Sequence, residues 1–192
     1  MSNIIILNGC GSSGKTSIAK AIQHSSPDLW LRFGIDTLID MIPLGAMDTY
    51  LNFVPGKNAL GPTMHVESNV QGKKLFRMMP QLAAIIANND NNLIIEEVLF
   101  DEADLQAYAQ HLKEHNVYYI GIFCDLSVMQ ERELLRGDRA IGLSNDQINR
   151  VHQGILGAYD FTIDTTITFP FQAARMIIQF IQDQNATQFN HE

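Results

Sequence analysis

Residues 9–16, Gly-Cys-Gly-Ser-Ser-Gly-Lys-Thr, fit the pattern G-x-x-x-x-G-K-[ST] at every fixed position, between a short apolar run and a segment with helical spacing. The pattern works mechanically only where a strand ends, the backbone bends sharply and a helix begins. Its glycines let consecutive amides turn inward around phosphate oxygens, and the N-terminus of the following helix adds its positive dipole. Gly9, Cys10, Gly11, Ser12, Ser13, Gly14, Lys15, Thr16 and Ser17 are therefore expected to cradle a nucleotide's phosphates. In such a cradle the Lys15 ammonium reaches the outer phosphates and the Thr16 hydroxyl joins a magnesium shell, so ATP and Mg2+ are the expected cofactors. Cys10 reads as loop filler rather than a redox switch.

The rest of the chain repeats the strand-helix alternation. Branched and aromatic runs at 4–7, 30–35, 93–98, 117–124 and 161–163 read as five strands. Their near-continuous apolar character suits a parallel sheet covered on both faces. Helical spacing follows at 17–23, at 73–87 with a kink expected at Pro80, and behind Asp101 as an N-cap for Leu105, Tyr108 and Leu112. Ser144 to Gln147 has the form of a capping box ahead of Ile148, Val151 and Ile155. Pro170 opens a closing helix with Ala174, Ile177, Ile178 and Ile181 on one face. The expected architecture is α/β and three-layered, a five-stranded parallel sheet with helices on both faces. With 192 residues the chain suits one domain, 1–183, followed by a polar, frayed tail at 184–192.

Composition narrows the partners. Thirteen Lys and Arg against 21 Asp and Glu give a net charge of −8, which disfavours nucleic acid and anionic membrane surfaces. Cys10 and Cys124 stand far apart without metal-ligand spacing, and no apolar run approaches a membrane span, so a reduced, cytoplasmic protein is expected. Oligomeric state is not readable from these features.

Several phosphate-loop classes are excluded by missing strings. The chain has no Asn-Lys-x-Asp or Asp-x-x-Gly, as a GTPase would, and no His-Arg-Asp or Asp-Phe-Gly, as a protein kinase would. What remains is the short nucleoside-kinase type, which hands a terminal phosphoryl group to a small acceptor. Asp36 follows the second strand, on the rim that carries the phosphate loop, where its carboxylate either accepts the proton of an attacking hydroxyl or caps the next helix. Asp40 reads as a supporting or surface carboxylate. Glu96 and Glu97 close the third strand on opposite faces, and either holds magnesium through water or solvates the rim.

Arg132, Arg136 and Arg139 crowd into eight positions and suggest a lid. Arg132 is expected to stack on adenine, while Arg136 and Arg139 close over the transferring phosphoryl group. The alternative is a solvated helix face. Between Asp36 and Gly72 the only Lys or Arg is Lys57, which leaves an anionic acceptor without a clamp unless Lys73, Lys74 or Arg77 supplies one. The same stretch holds Met41, Met47, Tyr50, Leu51, Phe53, Val54 and Met64 in a segment expected to be a loop, wrapping either an apolar ligand or the core.

Taken together, 4–9 leading into the phosphate loop, 30–43 with its core Phe33-Gly-Ile-Asp-Thr-Leu-Ile-Asp40, 94–98, Cys124-Asp125, Arg136-Gly-Asp-Arg139 and 159–166 resemble the chloramphenicol phosphotransferase-like family of small phosphate-loop kinases. The resemblance implies the P-loop NTPase fold of the nucleoside-kinase type with an arginine-bearing lid, ATP with magnesium as donor, and Asp36 as the base for the acceptor hydroxyl. It also implies that Asp164 and Thr165 lie beside the nucleotide base. The expected activity is phosphoryl transfer to a hydroxyl of a small neutral molecule such as chloramphenicol. The rivals are a nucleotide or sugar kinase with an anionic acceptor and a non-catalytic nucleotide-binding switch.

Overall fold

The computed structural model describes residues 1–137 and 140–189. β1 (Asn3–Asn8) enters the glycine-lined bend, which opens α1 (Lys15–Ser25). β2 (Trp30–Gly34) passes directly into α2 (Ile35–Asp40), followed by α3 (Met47–Tyr50) and a hairpin of β3 (Leu51–Asn58) and β4 (Gly61–Ser68). α4 (Val70–Phe76) and α5 (Met79–Ala87) lead to β5 (Asn92–Glu97), and α6 (Glu102–His111) to β6 (Asn116–Phe123). α7 (Leu126–Arg136), α8 (Leu143–Gln147), β7 (Phe161–Asp164) and α9 (Pro170–Phe189) complete the order.

Five strands form one parallel sheet in the order β2-β5-β1-β6-β7, as expected from the sequence. β1 is central and its Ile4, Ile5, Ile6 and Leu7 are fully buried, because successive side chains enter opposite apolar layers. Ile5 and Leu7 pack with Ile18 and Ile22 of α1 and Ile177 of α9. Ile4 and Ile6 pack with Met79 and Ala83 of α5 and Leu105 and Tyr108 of α6. The register aligns Leu7 with Glu96 and Asn8 with Glu97, so the phosphate loop and the acidic pair leave the sheet at one rim. Parallel α/β sheets collect ligands at that rim. Among the described residues no helix is long and apolar enough to cross a membrane.

Four local expectations are corrected. The 73–87 segment does not kink at Pro80 but breaks between Phe76 and Met79, which places Pro80 in the first turn of α5, where its missing N–H costs nothing. Residues 51–68 are a two-stranded antiparallel hairpin rather than a loop. Ser144 does not cap a helix: α8 starts at Leu143, and the buried Glu133 carboxylate on α7 accepts from the amides of Gly142 (3.1 Å) and Ser144 (2.7 Å) in place of a local cap. Finally, α9 extends to Phe189, into the segment expected to fray, and Tyr118 on β6 donates to Asn185 Oδ1 at 2.7 Å, which fastens the helix to the sheet there.

Candidate active site

The phosphate loop is shaped by close packing beneath it and by three groups that hold its carbonyls. A Cβ on Gly9 would lie 2.5 Å from the Ile122 carbonyl oxygen of β6, so only glycine admits the turn there. Lys15 Nζ donates to the carbonyls of Gly9 (2.7 Å) and Cys10 (2.8 Å), which keeps the ammonium over the loop. Thr165, just past β7, donates its hydroxyl to the Ser13 carbonyl at 2.7 Å. Arg132 on α7 donates to the Thr165 carbonyl (2.9 Å), the Thr165 hydroxyl (3.3 Å) and the Ser12 carbonyl (3.5 Å). Its guanidinium thus fastens α7 to the loop and to the β7 exit while bordering the phosphate cleft. Burial pushes the Cys10 thiol up to about 11 against the opposing charge of Lys15, which leaves it an inert filler of the loop.

The acidic pair separates as strand alternation requires. Glu96 Oε2 accepts the hydroxyl hydrogen of Thr16, and Oε1 accepts from Arg32 at 2.8 Å. Glu97 faces the opposite layer, where Tyr108 donates to it and burial pushes its carboxyl up to about 7. Thr16 and Glu96 offer hard oxygen donors beside the phosphate cradle, a set that fits Mg2+, which usually takes one or two protein oxygens and keeps waters and substrate phosphates for the rest. Glu97 does not border that space. Among the described residues no cluster of three or more His, Cys, Asp or Glu stands ready for a metal held by protein alone.

Asp36 sits in the first turn of α2, and the cap there is supplied by Thr37, whose hydroxyl accepts from the Gly34 amide at 3.2 Å. Asp36 itself lies inside the helix rather than at its N-cap, and its side chain is exposed. Asp36 borders two clefts. One, of about 540 Å³, is lined by Ser12 and the residues from Gly14 to Ser17 together with Glu96, Arg132 and Thr165. The other, of about 660 Å³, is lined by Leu51 and Phe53 of β3, Val66 of β4, Phe76 and Phe100. Arg136 and Asp40 border both clefts as well, so Asp40 is nearer the chemistry than expected.

The second cleft is built by the hairpin. Phe53 pairs with Val66 and Leu51 with Ser68, so these residues share the face that looks across at Asp36. Of the seven apolar residues singled out in the sequence, only Leu51 and Phe53 line it. Lys73, Lys74 and Arg77 are exposed and do not line it. Arg150 does, yet it is engaged by Asp146 at 2.8 Å and lies 4.4 Å from the centre of the Phe100 ring. Gln147, at the end of α8, also borders this cleft, and its Oε1 accepts from the Gly11 amide at 2.6 Å. Neither Arg150 nor Gln147 carried a sequence signal, because Gln147 was absorbed into the apparent capping box and Arg150 belongs to no motif. Asp164 lies outside the first cleft, accepting instead from the Thr166 amide at 2.9 Å. The expected role of Arg139 falls outside the described residues.

Behind the loop a polar chain crosses the core. Asn8 donates to the Tyr159 hydroxyl (2.7 Å), which in turn meets His152 Nδ1 (2.8 Å), and the imidazole stacks on Phe123 at 4.0 Å. Burial holds that imidazole down to about 4, so it remains neutral and serves packing.

Residues 2–182 match the family described as chloramphenicol phosphotransferase-like protein. The Mycobacterium tuberculosis (strain ATCC 25618 / H37Rv) protein named "Putative O-phosphotransferase Rv2636" is 28% identical over 190 residues, covering 93% of this chain and 82% of that one. A sugar kinase from Janibacter sp. HTCC2649 superposes with a TM-score of 0.63 at 13% identity over 95% of both chains. The Mycobacterium tuberculosis APS kinase CysC, solved with AMPPNP and APS, gives 0.65 at 10% identity, over 94% of this chain and 98% of that one. At such identities these two solved structures share the fold with this chain.

Proposed function

Because the chain belongs to the chloramphenicol phosphotransferase-like family of phosphate-loop kinases, we propose that it moves the γ-phosphoryl group of ATP to a hydroxyl of a small neutral molecule with an apolar or aromatic body, chloramphenicol being the first candidate. One observation carries this reading: the apolar cleft under the hairpin meets the phosphate cleft at Asp36 and Arg136. A phosphoryl group held by the loop and a hydroxyl held by the hairpin would face each other across that carboxylate.

In this reading Lys15 and the loop amides bind the phosphates, while Asp36 orients the acceptor hydroxyl and takes its proton as the new P–O bond forms and the bond from the γ-phosphorus to the bridging oxygen breaks, releasing ADP. Arg136 neutralises charge on the phosphoryl oxygens from the lid side. Thr16 and Glu96 would hold Mg2+, which when bound offsets phosphate charge. In this reading the cleft favours a neutral acceptor over an anionic one, since Lys73, Lys74 and Arg77 stay outside it, Arg150 is paired with Asp146, and Arg136, which borders both clefts, is assigned to the phosphoryl group.

The test is to incubate the chain with MgATP and a panel of chloramphenicol, nucleosides and sugars, and to search by mass spectrometry for a compound that gains one phosphate. A phosphorylated neutral, apolar-bodied hydroxyl compound supports the reading. A product only from anionic acceptors, or none from any hydroxyl compound, overturns it, the latter in favour of a nucleotide-binding switch.

A further inference from the structure

Gly11 differs from the rest of the phosphate loop in its surroundings. Ser12 and the residues from Gly14 to Ser17 line the nucleotide cleft, whereas Gly11 lines the acceptor cleft, which makes its amide the loop donor at the junction of the two. That amide is engaged by a side chain, donating to Gln147 Oε1 at 2.6 Å. A backbone N–H has one hydrogen, so this donor serves either the Gln147 carboxamide or a phosphoryl oxygen fully, but not both.

Gln147 is also tied to the acceptor wall through the short helix it ends. Glu133 on α7 holds the first amides of α8. Asn145 of α8 donates to the Pro62 carbonyl at 2.7 Å and accepts from Asn58 through its own carbonyl at 3.2 Å, while the Met64 amide donates to the Gly142 carbonyl at 3.0 Å. Asp146 meets His65 of β4 at 3.1 Å. The α8 helix is thus hydrogen-bonded to both strands of the hairpin, and its last residue rests on the phosphate loop.

We propose that Gln147 is an acceptor-responsive positioning residue: it occupies the Gly11 amide until an acceptor entering under the hairpin draws the carboxamide aside and frees that donor for the terminal phosphoryl group. This rests on the phosphotransferase reading and adds a function to it. While Gln147 holds the amide, ATP is gripped little better than ADP, and water is poorly served as an acceptor. Phosphoryl transfer then waits for the second substrate, which limits wasteful hydrolysis.

The test needs no knowledge of the acceptor. The affinities of MgATP and MgADP and the rate of ATP hydrolysis without acceptor are measured for the parent, Gln147→Leu and Gln147→Glu. A hydrogen bond to a charged group corresponds to roughly tenfold or more in binding, so Gln147→Leu is expected to raise the ATP-over-ADP preference about tenfold and to speed basal hydrolysis. Gln147→Glu, which keeps an acceptor for the amide and adds a charge that repels phosphate, is expected to lower the preference below the parent's. ADP affinity that stays constant across the series shows that the variants fold. An unchanged ATP-to-ADP ratio in Gln147→Leu, with both nucleotides bound, overturns the proposal and leaves the phosphotransferase reading intact. A parent that binds neither nucleotide overturns both.

Discussion

Thr16 donates its hydroxyl hydrogen to Glu96, so the last residue of the phosphate loop and the rim of a neighbouring strand form one polar unit. Arg32 holds the other oxygen of that carboxylate at 2.8 Å. If the unit receives Mg2+, Glu96→Gln should raise the magnesium concentration needed for half-maximal transfer by about 10- to 100-fold, with the thermal midpoint little changed. A magnesium titration of the rate checks this, and an unaltered titration would place the ion elsewhere.

Asp36 borders both clefts, and in the proposed reading its carboxylate serves the acceptor hydroxyl. Asp36→Asn is expected to leave ATP affinity within about twofold and to cut kcat by ~10²- to 10⁴-fold. Equal kcat in the variant and the parent would remove Asp36 from the base role.

Lys15 reaches over the loop from the first residue of α1. Lys15→Ala should lower transfer by ~10²-fold or more, because a preorganised positive charge at the transferring group is lost. Single-turnover kinetics at saturating ATP would expose the defect even if binding partly survives.

Arg132 ties α7 to the loop and to Thr165 with a planar fork that lysine does not reproduce. Arg132→Lys is expected to cost about 1–3 kcal/mol of stability and to weaken ATP binding together with it. Denaturant unfolding and ATP titration, run on the same sample, should therefore move in parallel. A loss of ATP binding at unchanged stability would instead favour direct contact with the adenine.

Glu97 and His152 give the stability of the fold opposing responses to pH. The Glu97 carboxyl is raised from 4.5 to about 7 by burial, so between those values the folded chain holds a proton that the unfolded chain has released, and stability falls as pH rises. His152 is lowered from 6.5 to about 4, so between 4 and 6.5 the unfolded chain binds the extra proton, and stability rises with pH. Glu97→Gln should therefore gain stability relative to the parent as pH goes from 4.5 to 7, by about 3 kcal/mol at most. Denaturant midpoints across that range measure the difference, and a pH-independent difference would contradict the buried, protonated carboxyl.

The phosphate loop and the five-stranded sheet were legible because each depends on residues close together in the chain: a glycine pattern for one backbone turn, and apolar runs for strands covered on both faces. The hairpin was not. Pro55, Gly56, Gly61 and Pro62 punctuate it as they would a loop, yet Pro55 pairs with Met64 and Gly56 with Thr63 in a ladder that stands apart from the main sheet. Docking onto α8 through Asn145 and Gly142 supports it, and such support has no local signature.

The amino-acid sequence determined the class of chemistry, since eight consecutive residues suffice to shape a phosphate cradle and alternation suffices to put Glu96 and Glu97 on opposite faces. Tertiary structure alone decided which glutamate meets Thr16, that Arg132 ties α7 to the loop and to Thr165, and that Gln147 touches Gly11 across 136 positions of chain. Periodicity records the face a residue presents. The partner it finds there depends on how distant elements pack.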